Sequence, residues 1–185
     1  MGWPGLEAKR LQILHEAVPN ATVFAMLVNP AFSDAETQLR EVSAAAATLG
    51  RQLVVEKASS EDKIDDAFAN FARRRAIALL VAADPFFYER REQITALAAR
   101  NSLPAIYQWP EFVTAGGLMS YGTDLRDTNH ELGLYVARIL KGDKPGDLPV
   151  QQLTKLELVI NVKTARALSL ELPPSLLARA DWVIE

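Results

Sequence analysis

The stretch that most restricts the fold is residues 77–88, IALLVAADPFFY. Its first half is an unbroken apolar run. That pattern is expected of a strand covered on both faces, because the crossover helices of a parallel sheet shield both sides. Asp84-Pro85 then stops the strand: proline has no ladder donor and holds the preceding residue extended or in a turn. Residues 22–30, TVFAMLVNP, repeat the design, with Asn29-Pro30 in the place of Asp84-Pro85. In open α/β sheets ligands bind beyond the carboxyl ends of the strands. The two dipeptides therefore aim two polar side chains at one candidate site.

Around these two strands the chain alternates. Residues 6–18 carry Leu6, Ile13, Leu14 and Ala17 at helical spacing and stop at Pro19-Asn20. Ser33, with Glu36 three residues on, is a capping-box pattern. It precedes a helix with Leu39, Val42, Ala46 and Leu49 on one face and Gly50 as its stop. Residues 52–57 read as a strand, and Ser59 or Ser60 opens a helix that turns Ile64, Phe68 and Phe71 inward. A helix over 88–100 and a strand over 103–107 follow. This rhythm predicts an α/β fold, a parallel sheet flanked by helices on both faces.

Residues 108–117, QWPEFVTAGG, read as a loop, and 118–121 as a short strand ended by Gly122. Residues 1–122 thus form one α/β lobe, which 123–185 complete. In that second part Thr128 and Glu131 make a capping box, and Leu132, Val136, Ile139 and Leu140 make an apolar stripe ending at Gly142. A turn-rich connector over 143–149 leads to a strand over 156–160. Asn161 caps a helix around 164–168, and Pro173-Pro174 lead into a last short helix.

Composition bears mainly on function. The 185 residues suit one domain or one large lobe. With 49% apolar and 23% charged residues the chain can bury a core. A formal charge of −3 offers no basic surface for nucleic acid or an anionic membrane. Without cysteine there is no disulfide, cysteine-based zinc site or thiol nucleophile. No apolar run reaches the roughly 18–20 residues of a membrane span. The opening MGWPGLEAKR lacks the charged and apolar regions of a signal peptide.

Dinucleotide turns, phosphate loops, nucleophile elbows and zinc-helix motifs are absent, so no cofactor or metal is expected. His15 and His130 fall in predicted helices and read as surface histidines. Asp34 and Asp84 could act as paired carboxylates, although Asp34 reads more simply as charge at a helix N-terminus. Binding groups are better represented. Asn29, Ser33, Asp84, Phe86, Tyr107 or Gln108, and Tyr121 all fall at or just after predicted strand ends. Of these, Asn29, Ser33, Asp84, Phe86, Gln108 and Tyr121 form the candidate ligand-binding set, an aromatic wall with a few fixed polar groups. Each also has a structural reading: Asx-turns for Asn29 and Asp84, edge packing for Phe86 and Phe87, core for Tyr121. Together with Tyr107 and Trp109, these aromatics hint at an apolar or aromatic solute.

With the segments in place the chain resembles the ABC-transporter substrate-binding proteins, a family whose characterised members include tryptophan- and tyrosine-type binders. The resemblance rests on KRLQILHEAVPNA, VNP, ADPFFYERREQITALAARNSLPAIY, AGGLMSYG, ARILKGDKPGDLPVQ and KLELVINVKTARAL. It implies a type I periplasmic binding protein fold, in which two lobes close on a solute at a hinge and the loaded protein docks on a membrane permease. It implies no enzymatic activity and no metal. A family member carries a leader and a first lobe ahead of the segment that here begins at Lys9. On that comparison this chain is the second lobe with its C-terminal crossovers, of a periplasmic or membrane-anchored protein. The helix over 131–140 and the strand over 156–160 belong near the hinge or against the first lobe, and here expose an apolar surface that drives self-association. Two other readings fit the same residues: a ligand-sensing domain of a regulator or receptor, and a small enzyme using Asp84 and Asp34.

Overall fold

In a computed structural model, the structure describes residues 5–123, 125–148 and 156–185, and of 125–132 and 147 the backbone alone. Helix α1 (Leu6–Ala17) leads into strand β1 (Val23–Val28), followed by α2 (Ala35–Thr48) and β2 (Gln52–Lys57). Then come α3 (Glu61–Arg73), β3 (Ala78–Val81), α4 (Pro85–Glu89), α5 (Arg91–Arg100) and β4 (Ala105–Tyr107). The remainder is α6 (Pro110–Thr114), β5 (Met119–Gly122), α7 (Leu125–Leu140), β6 (Glu157–Asn161), α8 (Val162–Ala167), α9 (Pro174–Leu177) and β7 (Trp182–Ile184). A short 3-10 turn spans Pro145–Asp147.

The strands form one sheet in the order β2-β1-β3-β4-β5-β6-β7. From β2 to β5 every pairing is parallel. β6 runs antiparallel to β5, and β7 parallel to β6. Side-chain alternation along β1 divides the core in two. Phe24, Met26 and Val28 face α1 and α2, while Ala25 and Leu27 face the Phe68 and Phe71 side of α3. Ala78 and Leu80 of β3 join the first cluster, Leu79 and Val81 the second. Burial on both sides is why residues 78–81 contain no polar residue. The α/β sheet covered on both faces is as the sequence predicts.

Several expectations need correcting. Ser33 does not cap α2; Asp34 stands at the N-cap and Ser33 is exposed. The reason is a pair of successive turns, Phe32 N to Asn29 O and Ala35 N to Phe32 O, which delay the helix. The helix expected over 88–100 is two helices meeting at Arg90, because Asp84 caps a separate turn beginning at Pro85. The expected loop at 108–117 contains α6, whose Pro110 sits at the first helical position, where a missing N–H costs nothing. Helix α7 begins at Leu125, so Thr128 lies inside it rather than at its cap. His15 is half-buried, edge-on to Phe24 with ring centroids 6.0 Å apart, not a free surface residue. β7 pairs with β6 at Val183↔Ile160 and had no counterpart in the sequence reading. The side chains of His130, Glu131 and Leu132 lie outside the described residues.

Other expectations hold. Gly50 ends α2 with φ +63, and Arg51 N donates to Ala46 O, closing the left-handed helix stop that glycine favours. Asn161 caps α8, its Oδ1 accepting from Thr164 N at 3.0 Å. The apolar surface expected of two segments belongs to one: the strand over 156–160 is buried as β6 between β5 and β7, whereas the stripe of α7 is bare. Leu134, Val136 and Ile139 are exposed, and Leu140 is 82% exposed.

Candidate functional site

The sheet reverses its order of growth between β1 and β3: the chain leaves β1 outward to β2, then returns to the other side of β1 as β3. At such a switch point the two following loops diverge and leave a crevice at the carboxyl edge. Asn29 and Asp84 stand directly there. Asn29 Nδ2 donates to Asp84 Oδ2 at 3.2 Å, joining the two strand ends. Asn29 Oδ1 accepts from Ala31 N at 3.0 Å, an Asx-turn. Asp84 Oδ1 accepts from Phe87 N at 3.1 Å and caps α4. Asp84 is only 2% exposed. The Asx-turn foreseen for Asn29 is realised, whereas Asp84 caps a helix in place of the Asx-turn foreseen for it, and one contact links the two residues.

The other candidates distribute unevenly. Phe86 is half-buried, with its ring under the Arg90 guanidinium at 5.9 Å and beside Phe87 at 5.7 Å. Ser33 is exposed on the turn after β1. Tyr107 points away from this edge into the second core cluster, stacked on Phe112 with centroids 4.5 Å apart. Its hydroxyl is buried without a hydrogen-bond partner, and burial pushes it well above the usual phenol range. Gln108 is the half-buried residue at the end of β4. Tyr121, on β5, packs its half-buried ring on the first core cluster.

A second polar layer escaped the sequence reading. Glu7 and Arg10, on successive turns of α1, are both buried, Arg10 to 1% exposure. They pair at 2.6 Å. Arg10 Nε donates to Tyr121 O at 2.9 Å and its Nη2 to Gln108 Oε1 at 3.1 Å. Glu7 Oε1 accepts from Ala83 N at 3.4 Å, and Gln38 Nε2 donates to Ala83 O at 2.7 Å. The i,i+3 spacing of Glu7 and Arg10 on the helix was legible. That this face turns inward was not, because its neighbours Lys9 and Gln12 are exposed. Gly122 belongs to the same corner: a Cβ there would lie 2.3 Å from Gln108 O, so the ends of β4 and β5 meet this closely only with glycine.

The edge thus holds Asp84, bonded to Asn29, and the ion pair of Glu7 with Arg10. Along it stand half-buried aromatic rings: Phe86, Tyr121, and Tyr88 packed edge-on to Trp109 at 5.4 Å. Among the described residues no three histidine, aspartate or glutamate side chains lie together as metal ligands. None of those residues lies in a helix long and apolar enough to cross a membrane.

A doubly covered sheet with a polar, aromatic-rimmed switch point is the architecture of a type I periplasmic binding protein lobe. Over residues 6–184 the chain matches the family model described as ABC transporter substrate binding protein, and it belongs to that family of solute-binding proteins. It is similar to a tyrosine-binding protein of Clostridioides difficile, 22% identical over 163 residues, which are 88% of this chain and 47% of that protein. Its fold is that of an ABC domain from Streptococcus pneumoniae crystallised with L-Trp, with a TM-score of 0.85 at 24% identity, covering 97% of this chain and 60% of that one. A conserved domain protein of Vibrio cholerae superposes with a TM-score of 0.85 at 25% identity, covering 96% of this chain and 60% of that one. The chain spans about half the length of the tyrosine-binding relative.

Proposed function

We propose that this chain supplies one lobe, with its crossover helix, of an extracytoplasmic binding protein that delivers an amino acid with an aromatic side chain to an ABC permease, without turnover of the ligand. The observation that carries the site is the Asn29–Asp84 contact across the switch point. It brings a carboxylate to the place where this architecture admits ligands. A carboxylate has about four acceptor positions, and Asp84 uses one on each oxygen. Arg10 is paired with Glu7, while Asp84 is bonded to Asn29 and a backbone N–H, which leaves its carboxylate to suit the ligand's ammonium group. The exposed Ser33 hydroxyl on the turn after β1 suits its carboxylate. Phe86 and Tyr121 suit its ring, and Gln108 keeps its amide N–H groups free of Arg10. The named ligands of two similar proteins, tyrosine and L-Trp, support an aromatic amino acid.

In this reading residues 1–122 are the second lobe of a two-lobed clamp and 123–185 complete it, with α7 lying against the other lobe. One lobe alone covers one face of a ligand, whereas tight sites bury most of it, so the chain by itself binds weakly. The test is a thermal-shift screen of L-amino acids and aromatic acids on the complete two-lobed protein. L-Trp or L-Tyr should raise the melting temperature with the logarithm of concentration. Asp84→Asn, which keeps the acceptor for Phe87 N, should weaken that binding by about tenfold or more. A flat screen would remove the amino-acid ligand.

A further inference from the structure

We propose that Arg10, held by Glu7, is a positioning residue: it sets the spacing of the three strand ends that form the site, without touching the ligand. The proposal rests on the switch-point site described above and adds to it the part that keeps its wall in register. Arg10 is among the largest fully buried side chains of the molecule, and it belongs to a helix rather than to the sheet edge. A buried guanidinium is tolerated only when its charge is paired and its N–H groups have acceptors. Here the pairing is with Glu7, and the acceptors are at the carboxyl ends of two neighbouring strands: Gln108 Oε1 after β4 and Tyr121 O in β5. Glu7 Oε1 extends the link to Ala83 N, the residue before Asp84.

Strands β3, β4 and β5 are three or four residues long and their ladders are short, with two registered pairs between β3 and β4 and two between β4 and β5. β3 and β5 are also held over four pairs each by β1 and β6, so the β4 end, where Gln108 stands between them, has least of its own to hold it. The planar fork of an arginine can hold two acceptors at fixed angles, which a lysine cannot. Gly122 completes the arrangement by letting the β5 end close on Gln108. Binding sites need their side chains fixed to within about 0.5 Å, and this cluster is the element of the fold that fixes them.

The experiment compares wild type with Arg10→Met and Arg10→Lys by amide hydrogen exchange, and by calorimetric titration of L-Trp and L-Tyr into the complete protein. In both variants exchange should quicken at residues 83–84, 108–109 and 121–123, while β1 and β2 stay as protected as in wild type. Affinity per folded molecule should fall by about tenfold or more in Arg10→Met and by less in Arg10→Lys, which keeps the charge opposite Glu7. Loss of protection spread evenly over the sheet would overturn the proposal, because a merely structural ion pair gives that result. So would quickened strand ends with unchanged affinity. If wild type binds neither amino acid, the ligand assignment fails, and exchange alone decides for or against the positioning role. If Arg10→Met does not fold, Arg10→Lys carries the same comparison.

Discussion

Helices α1 and α7 carry the same kind of signal and meet opposite fates. Both place apolar residues at helical spacing, and both stand at the carboxyl edge of the sheet, α1 reaching it through Glu7 and Arg10 and α7 leaving it just after β5. In α1, Leu11, Ile13, Leu14 and Ala17 are buried in the first core cluster. In α7, Leu134, Val136, Ile139 and Leu140 are exposed. Periodicity tells which face of a helix is apolar; it does not tell what covers that face. The buried helix also carries the Glu7–Arg10 pair, which bonds to Ala83, Gln108 and Tyr121; under the positioning proposal one element would serve both stability and function.

The largest effect that can break this contrast is in the core. Leu14→Ala should cost about 2–5 kcal/mol in denaturant unfolding, since the residue is fully buried and its removal leaves a cavity. A loss below about 1 kcal/mol, the size of an ordinary surface change, would mean that α1 is not part of the core.

A smaller effect comes from the buried Tyr107. Its hydroxyl is held neutral in the fold, whereas an unfolded tyrosine ionises near pH 10. Above that pH unfolding releases a proton. The stability due to the neutral form is complete below about pH 10 and drains away as pH rises toward the folded value, by up to about 1.4 kcal/mol per pH unit. Tyr107→Phe should flatten this part of the alkaline unfolding profile. It should change little at pH 7, because the hydroxyl has no hydrogen bond to lose. Equal alkaline slopes for both proteins would contradict the burial of Tyr107.

The smallest effect on stability belongs to α7. In the chain by itself Ile139→Ala should change unfolding by no more than about 0.5 kcal/mol, as expected of a residue 41% exposed. The same face should make the chain self-associate at high concentration, and Ile139→Glu with Leu140→Glu should abolish the rise of scattering mass with concentration. A monomeric wild type would show that the stripe is too small to drive association.

What the sequence alone determined is the sheet and its covering. The uninterrupted apolar residues 78–81 and 24–28, and the Pro and Gly stops, are local properties. Each follows from the few conformations a short segment can adopt. Asn29 and Asp84 were legible for the same reason, as polar residues that end apolar strands. What only the tertiary structure decided are relations between distant segments. The Asn29–Asp84 bond joins residues 55 apart, and the Arg10–Tyr121 bond residues 111 apart. No periodicity encodes them, because they depend on the order in which strands are laid into the sheet. The inward turn of Tyr107, the late start of α2, the strand β7 and the bare face of α7 are likewise outcomes of what each segment meets. A local pattern fixes an element, and the topology chooses its neighbours.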